Sequence, residues 1–353
     1  MDPVPDPEAS LIPDYSTQKQ TPMWHDWQWQ MRNSLREFPD VSGTALPFRI
    51  TPYYADLITR LGLDHPLAKT VFPSEAELIL SPGEAVDPLG EEADSPVPGI
   101  VHRYPDRCLF LVTSVCAAYC RYCTRSRSVG HGTGNYNYEA LEYIRSHTEI
   151  RDVVVSGGDP LTLPTGQLEF ILEKLRTIRH VEMVRIGTKV PMVLPQRIDP
   201  DLCGVLKEFH PWISIHCTHP DELTPEAESA LNKLASCGCP LGSQTVLLKG
   251  VNDDSETIRR LMVGLLKNRV RPYYLYQCDP VAGTKHFRTD PEVGVGILRY
   301  LQGTISGYGI PRFVIDAPGG GGKIPLSPNY VIDRDEGEIK LENWEGKEYS
   351  YPV

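Results

Sequence analysis

The sequence predicts an α/β fold, a parallel sheet with helices between its strands that closes into part or all of a (β/α) barrel. Three observations lead there. From residue 108 onward, short apolar runs alternate with segments of helical period. That alternation is the pattern of parallel strands joined by right-handed crossovers. The residues of chemical interest, Cys116, Asp159, His216, Asp279 and Asp316, each follow an apolar run. Strand C-termini are where barrels of this class carry their chemistry.

The elements follow in order. Residues 1–22 are rich in proline and polar residues and read as a mobile arm. Residues 23–100 read as an N-terminal helical segment and a linker. Trp24, Trp27 and Trp29 lie in a short amphipathic run, and 81–98 is acidic and broken by prolines. The barrel spans 101–328. Its strand candidates are 108–114, 152–156, 183–187, 212–216, 243–248, 272–277 and 312–316. Helices are predicted at 137–147, 165–178, 200–208, 224–236, 254–268 and 291–305. Thr224-Pro225 with Glu226 in the first turn is one of several capped starts. The tail, 329–353, reads as short strands or coil.

Bulk properties narrow the function. The 353 residues are 41% hydrophobic, enough for one large domain with an appendage. A net charge of -11 argues against a nucleic-acid surface. No apolar stretch reaches the roughly 18 residues of a membrane span. The first residues carry no basic region and no apolar core of a signal peptide. Nine cysteines, an odd number spread unevenly, suit a reducing cytoplasm better than a disulfide framework.

Two motifs carry chemistry. Cys116-Ala-Ala-Tyr-Cys120-Arg-Tyr-Cys123 places three thiols in a C-x3-C-x2-C spacing just after the first long strand. A cubic iron–sulfur cluster takes four thiolates, so three leave one iron open to another ligand. A zinc site is the competing reading, and it needs a fourth ligand such as His131. This spacing resembles the signature of the radical S-adenosylmethionine (SAM) superfamily, and the resemblance implies Tyr122 over the adenine and Gly157-Gly158-Asp159 on the SAM amino group, although alone Gly-Gly-Asp reads as an ordinary tight turn. The second motif is Asp316-Ala-Pro-Gly-Gly-Gly-Gly-Lys323. It is no P-loop, because Ala317 replaces the first glycine and Ile324 the magnesium-binding hydroxyl. A lysine on a flexible glycine loop suits the aldehyde of pyridoxal 5′-phosphate (PLP). Arg103, Tyr104 and Arg107 supply two cations and a phenol fit for a phosphate, although alone such a segment reads as a solvated charged loop.

Together with Asp26-Trp27-x-Trp29-Gln30, Asp94-Ser-Pro-Val-Pro-Gly99, His102-Arg-Tyr-Pro-Asp-Arg107, Val193-Leu-Pro-Gln-Arg197 and Arg271-Pro-Tyr-Tyr-x-Tyr-Gln-Cys-Asp279, these motifs resemble the lysine 2,3-aminomutase family over residues 24–350. The resemblance implies the open crescent of the radical SAM barrel, with an N-terminal helical segment. It implies a [4Fe-4S] cluster on Cys116, Cys120 and Cys123. It implies SAM near Tyr122, Gly157, Gly158, Asp159, His216 and Gln244. It implies PLP on Lys323, its phosphate held by Arg103, Tyr104 and Arg107, with Tyr276 close by. Arg125 would grip the substrate α-carboxylate, and Asp279 with Asp316 its side-chain ammonium. The glutamate enzymes of the family carry a basic or neutral residue in that pair. The implied activity moves the α-amino group of L-lysine to Cβ. Arginine or a protein-bound lysine are alternative substrates, and a non-catalytic iron–sulfur or zinc protein is the alternative class.

Some positions depart from the family pattern. The chain lacks the cysteine-rich C-terminal zinc segment, and Asp254 stands where the partner cysteine belongs, so no zinc is expected. The cluster loop reads Cys-Thr-Arg-Ser-Arg, and Pro160 follows Gly-Gly-Asp. An electron donor such as flavodoxin or ferredoxin, a small amino-acid substrate and a homo-oligomeric state complete the expectation.

Overall fold

A computed structural model describes residues 12–38, 43–131 and 138–353. In chain order the elements are α1 (Trp27–Arg32), α2 (Pro52–Leu61), β1 (Ile100–Tyr104), β2 (Arg107–Thr113), α3 (Tyr138–Ser146) and β3 (Asp152–Gly157). Next come α4 (Thr165–Arg176), β4 (Met183–Thr188), α5 (Val190–Val193), α6 (Pro200–Phe209), β5 (Trp212–His216), α7 (Pro225–Ser236) and β6 (Leu241–Leu247). The barrel ends with α8 (Ser255–Lys267), β7 (Arg271–Gln277), α9 (Pro291–Thr304), β8 (Arg312–Ala317) and β9 (Gly322–Leu326). β10 (Val331–Asp335), β11 (Glu338–Glu342) and β12 (Glu348–Pro352) follow.

One sheet runs in the order β1 to β9. Strands β2 to β8 pair in parallel, each with the next, and β1 and β9 add antiparallel edges. The expected strands and helices are all present, with ends moved by a few residues. The two antiparallel edges were not expected, because β1 and β9 are short and lie in a charged segment and behind a glycine run. β10 to β12 form a separate antiparallel meander.

The strands obey a period of two, and each face has its own use. Val153, Val155, Val184, Ile186, Ile213, Ile215 and Leu275 are buried beneath the helices. The alternate positions, Ser156, Arg185, Gly187, Ser214, His216, Gly242, Gln244 and Tyr276, line an interior cavity of about 720 Å³. Barrels whose interiors are packed by branched side chains leave no such room.

Helix starts are fixed by local caps. Thr224 accepts from the Ala227 amide with Pro225 in the first turn, and Asp254 accepts from the Thr257 amide. Residues 12–22 are docked where an arm was expected, with Ile12 and Tyr15 buried and Lys19 paired to Asp56 at 2.8 Å. Residues 1–11 of that arm lie outside the described residues. The 81–98 linker is irregular, as its prolines require, yet it packs inward and buries Leu89 and Glu91. Among the described residues, no helix is long and apolar enough to cross a membrane.

Candidate active site

The residues that the resemblance assigns to the cluster, SAM, PLP and substrate all line this one cavity, from Arg103 on β1 to Lys323 on β9. The three thiols sit on the loop after β2. Burial pushes all three pKa values up; at Cys116 repulsion from Asp159, Cys123 and Cys120 adds to it, and Cys123 reaches about 11. At Cys120 the nearby ammonium of Lys189 works against burial. Among the described residues, the ligand atoms of His65, His219 and Asp221 gather within 4.8 Å of one another; the three thiols are not such a group. Their wider spacing suits a multi-iron cluster better than a single ion. His131, the fourth ligand a zinc knuckle would need, is exposed and bonds the Ala45 carbonyl at 2.9 Å. The remaining cysteines are free thiols, buried except for the half-buried Cys203.

The Gly-Gly-Asp turn is built by close backbone contact. A Cβ on Gly157 would lie 2.2 Å from the Thr113 carbonyl oxygen, and one on Gly158 2.4 Å from that of Val115. The glycines let the end of β3 abut the exit of β2, just before Cys116. Asp159 is buried, and its carboxylate accepts from the Leu161, Lys189 and Val190 amides and the Thr188 hydroxyl. These bonds fix the carboxylate within the turn.

Behind the cluster loop lies a buried network that the sequence did not reveal. Lys189 pairs with Glu222 at 2.5 Å and bonds the Thr218 hydroxyl at 3.1 Å. Glu222 also accepts from the hydroxyl of Tyr54 at 2.8 Å. Burial would raise the Glu222 pKa, but Lys189 together with hydrogen bonds from the Thr218 amide and Tyr54 lowers it to about 2. The Tyr122 hydroxyl lies 3.1 Å from His216 Nε2. Burial, then Lys189, lowers the His216 pKa to about 3, so its imidazole is neutral. Gln244 faces the same cavity from β6, beside Gly187.

At the other end, Lys323 stands on a strand and not on a flexible loop. Gly319, Gly320 and Gly322 take positive φ and turn the chain from β8 into β9. The hairpin register sets Lys323 opposite Asp316, and its Nζ lies 3.0 Å from that carboxylate. The Tyr276 ring lies 5.7 Å from the ammonium. The Tyr104 hydroxyl accepts from the Lys323 amide at 2.9 Å, Arg107 stacks on the Tyr104 ring, and Arg103 pairs with Asp94. These groups meet the glycine turn, since a Cβ on Gly320 would touch the Arg103 guanidinium. An aldehyde-bearing phosphate fits this end: an amine, a phenol, two guanidiniums and a backbone without side chains. Asp279 faces Asp316, and burial, then Asp316, raises its pKa to about 7. Arg125 pairs with Glu91 at 2.7 Å and bonds Ser156 at 3.2 Å. Glu91, hidden in the linker, is the second residue group the sequence reading missed.

Residues 110–262 match the model of the Radical SAM superfamily, and residues 298–353 that of Lysine-2,3-aminomutase. The L-lysine 2,3-aminomutase of Methanococcus maripaludis is 48% identical, across 93% of this chain and 81% of the relative. That of Fusobacterium nucleatum is 46% identical, across 92% and 81%. The glutamate 2,3-aminomutase of Clostridioides difficile is 41% identical, across 92% and 82%.

Proposed function

The chain belongs to the lysine 2,3-aminomutase family of radical SAM enzymes, and from that premise we propose that it moves the α-amino group of L-lysine to Cβ, giving L-β-lysine. The observation that carries the substrate choice is the Asp279–Asp316 pair. Ionising Asp279 is costly there: burial, then the facing Asp316, raises its pKa to about 7. A cationic side chain relieves that cost, whereas the carboxylate of glutamate would add to it. Arg125 stands in the same cavity as the cation for an α-carboxylate.

When bound, the cluster and SAM supply a radical that removes a hydrogen atom, and PLP supplies the aldehyde that carries the migrating amine. The protein's part is to hold these in one water-poor cavity. Cys116, Cys120 and Cys123 would hold the cluster, with Lys189 offsetting thiolate charge. Tyr122, His216 and Gln244, with the backbone at Gly157–Asp159, would hold SAM. Lys323 would carry PLP, steadied by Arg103, Tyr104, Arg107 and Tyr276. The Lys323 amine lies 3.0 Å from the Asp316 carboxylate. A flavodoxin- or ferredoxin-like donor would reduce the cluster in a cytoplasmic setting, and the working unit would be a homo-oligomer.

The test is an anaerobic assay of reconstituted protein with PLP, SAM and dithionite on L-lysine, L-arginine and L-glutamate, with products separated after derivatisation. A β-lysine peak that disappears in Lys323→Ala is expected. SAM cleavage without β-lysine would shift the reading to another cationic substrate, L-arginine first. A β-glutamate product would overturn the role given to the aspartate pair.

A further inference from the structure

Arg125 is already held by a carboxylate of its own chain. Its Nε donates to Glu91 Oε2 at 3.0 Å and its Nη2 to Oε1 at 2.7 Å, so Glu91 takes the side-on edge of the guanidinium. Nη1 donates to Ser156 Oγ at 3.2 Å. A guanidinium carries five N–H donors. Among the described residues, these bonds leave one donor on Nη1 and one on Nη2, and no carboxylate pairs with the Nη1–Nη2 end of the guanidinium. A second carboxylate can bind there in the bidentate geometry that arginine favours.

Glu91 is itself locked. Arg127 donates to its Oε2 at 3.3 Å. Its amide donates to Asp87 Oδ1 at 3.1 Å, and its carbonyl accepts from Ser95 at 2.7 Å. Its side chain is only 7% exposed. Such an anion, buried between two cations, resists displacement, because leaving would strand both partners. Glu91 is therefore poorly placed to act as a stand-in that departs when substrate arrives. The segment that carries it also touches the other end of the cavity: the Pro88 carbonyl accepts from the Gly319 amide at 2.9 Å.

We propose that Glu91 is a positioning residue, holding Arg125 by one edge so that the other edge receives the α-carboxylate of the amino-acid substrate. This rests on the aminomutase reading above. It makes recognition of the carboxylate a property of the Glu91–Arg125 pair and not of Arg125 alone.

The experiment uses PLP-loaded protein and follows the cofactor absorbance during titration with L-lysine or with 1,5-diaminopentane. The second probe is the same diamine without the carboxylate. Glu91→Gln should weaken L-lysine binding by about tenfold, the scale of a charge-assisted hydrogen bond, while 1,5-diaminopentane changes less than about twofold. Glu91→Asp, which keeps the charge on a shorter arm, should fall between. It also carries the test should the glutamine variant not fold, as monitored by its unfolding midpoint. Equal weakening of both probes would reduce Glu91 to general packing and overturn the proposal. So would unchanged binding, or tighter L-lysine binding, which would mark Glu91 as a competitor. Wild-type protein that does not distinguish the two probes would instead remove the aminomutase reading of Arg125, and the proposal with it.

Discussion

The chemistry of single residues turns on which charges meet in the cavity. Asp279 shows this most directly. An ordinary aspartate has lost its proton by pH 5, but burial and then the facing Asp316 hold this one up to about 7. A folded-state pKa raised above the unfolded one means that the native protein binds the extra proton between about 3.8 and 7. Stability from this group is therefore present at low pH and declines as pH rises through that window. Asp279→Asn should remove the strain, raising the stability of the free protein at pH 8 by on the order of 1–2 kcal/mol in chemical denaturation. Substrate binding moves the opposite way. An ammonium needs the ionised pair, so L-lysine affinity in wild type should fall toward tenfold per pH unit below about 7, and the Asn variant should lose that slope. An affinity flat from pH 5 to 8 would separate Asp279 from the ammonium.

At the scale of elements, close backbone contact places the cluster loop. Gly158 abuts the chain just before Cys116, and the Asp159 amide donates to the Val115 carbonyl at 2.8 Å. Gly158→Ala would drive a methyl into that carbonyl. It should cost about 1–3 kcal/mol and lower the iron bound per chain although all three thiols remain. Full iron content in a stable variant would show that the loop is placed by other contacts. How far such elements can be read from sequence depends on range. The βα alternation and the three-cysteine spacing are local patterns, and both were legible. So was the glycine-rich motif that ends at Lys323, but not its setting. The hairpin that sets Lys323 opposite Asp316 depends on a four-glycine turn, whose composition suits a loose loop equally well. Glu91 and the Lys189–Glu222 pair were illegible for a related reason. Each is brought to its partner, 34 or 33 residues away, only when neighbouring strands assemble, and by sequence each reads as a solvated charge.

Across the whole molecule, the sheet is a barrel that stops short of closure. Its first and last strands, β1 and β9, do not pair by main-chain bonds, yet they meet through one side chain: the Tyr104 hydroxyl accepts from the Lys323 amide where a further strand would otherwise bond. The acidic linker spans the same gap, with Arg103 held by Asp94 and by the Leu89 carbonyl, and with Gly319 bonded to Pro88. The side of the cavity proposed for PLP is thus assembled from opposite edges of the sheet, some two hundred residues apart in the chain. An open edge strand tied by few bonds belongs to the least stable part of a fold. Tyr104→Phe, examined without PLP so that no phosphate contact intervenes, should speed hydrogen exchange of the β9 amides by about fivefold, the worth of one neutral hydrogen bond. Exchange in β3 to β6 should not change. If β9 exchanges at the wild-type rate, the edges are held by the linker instead, and the glycine turn closes the barrel through Pro88 and not through Tyr104.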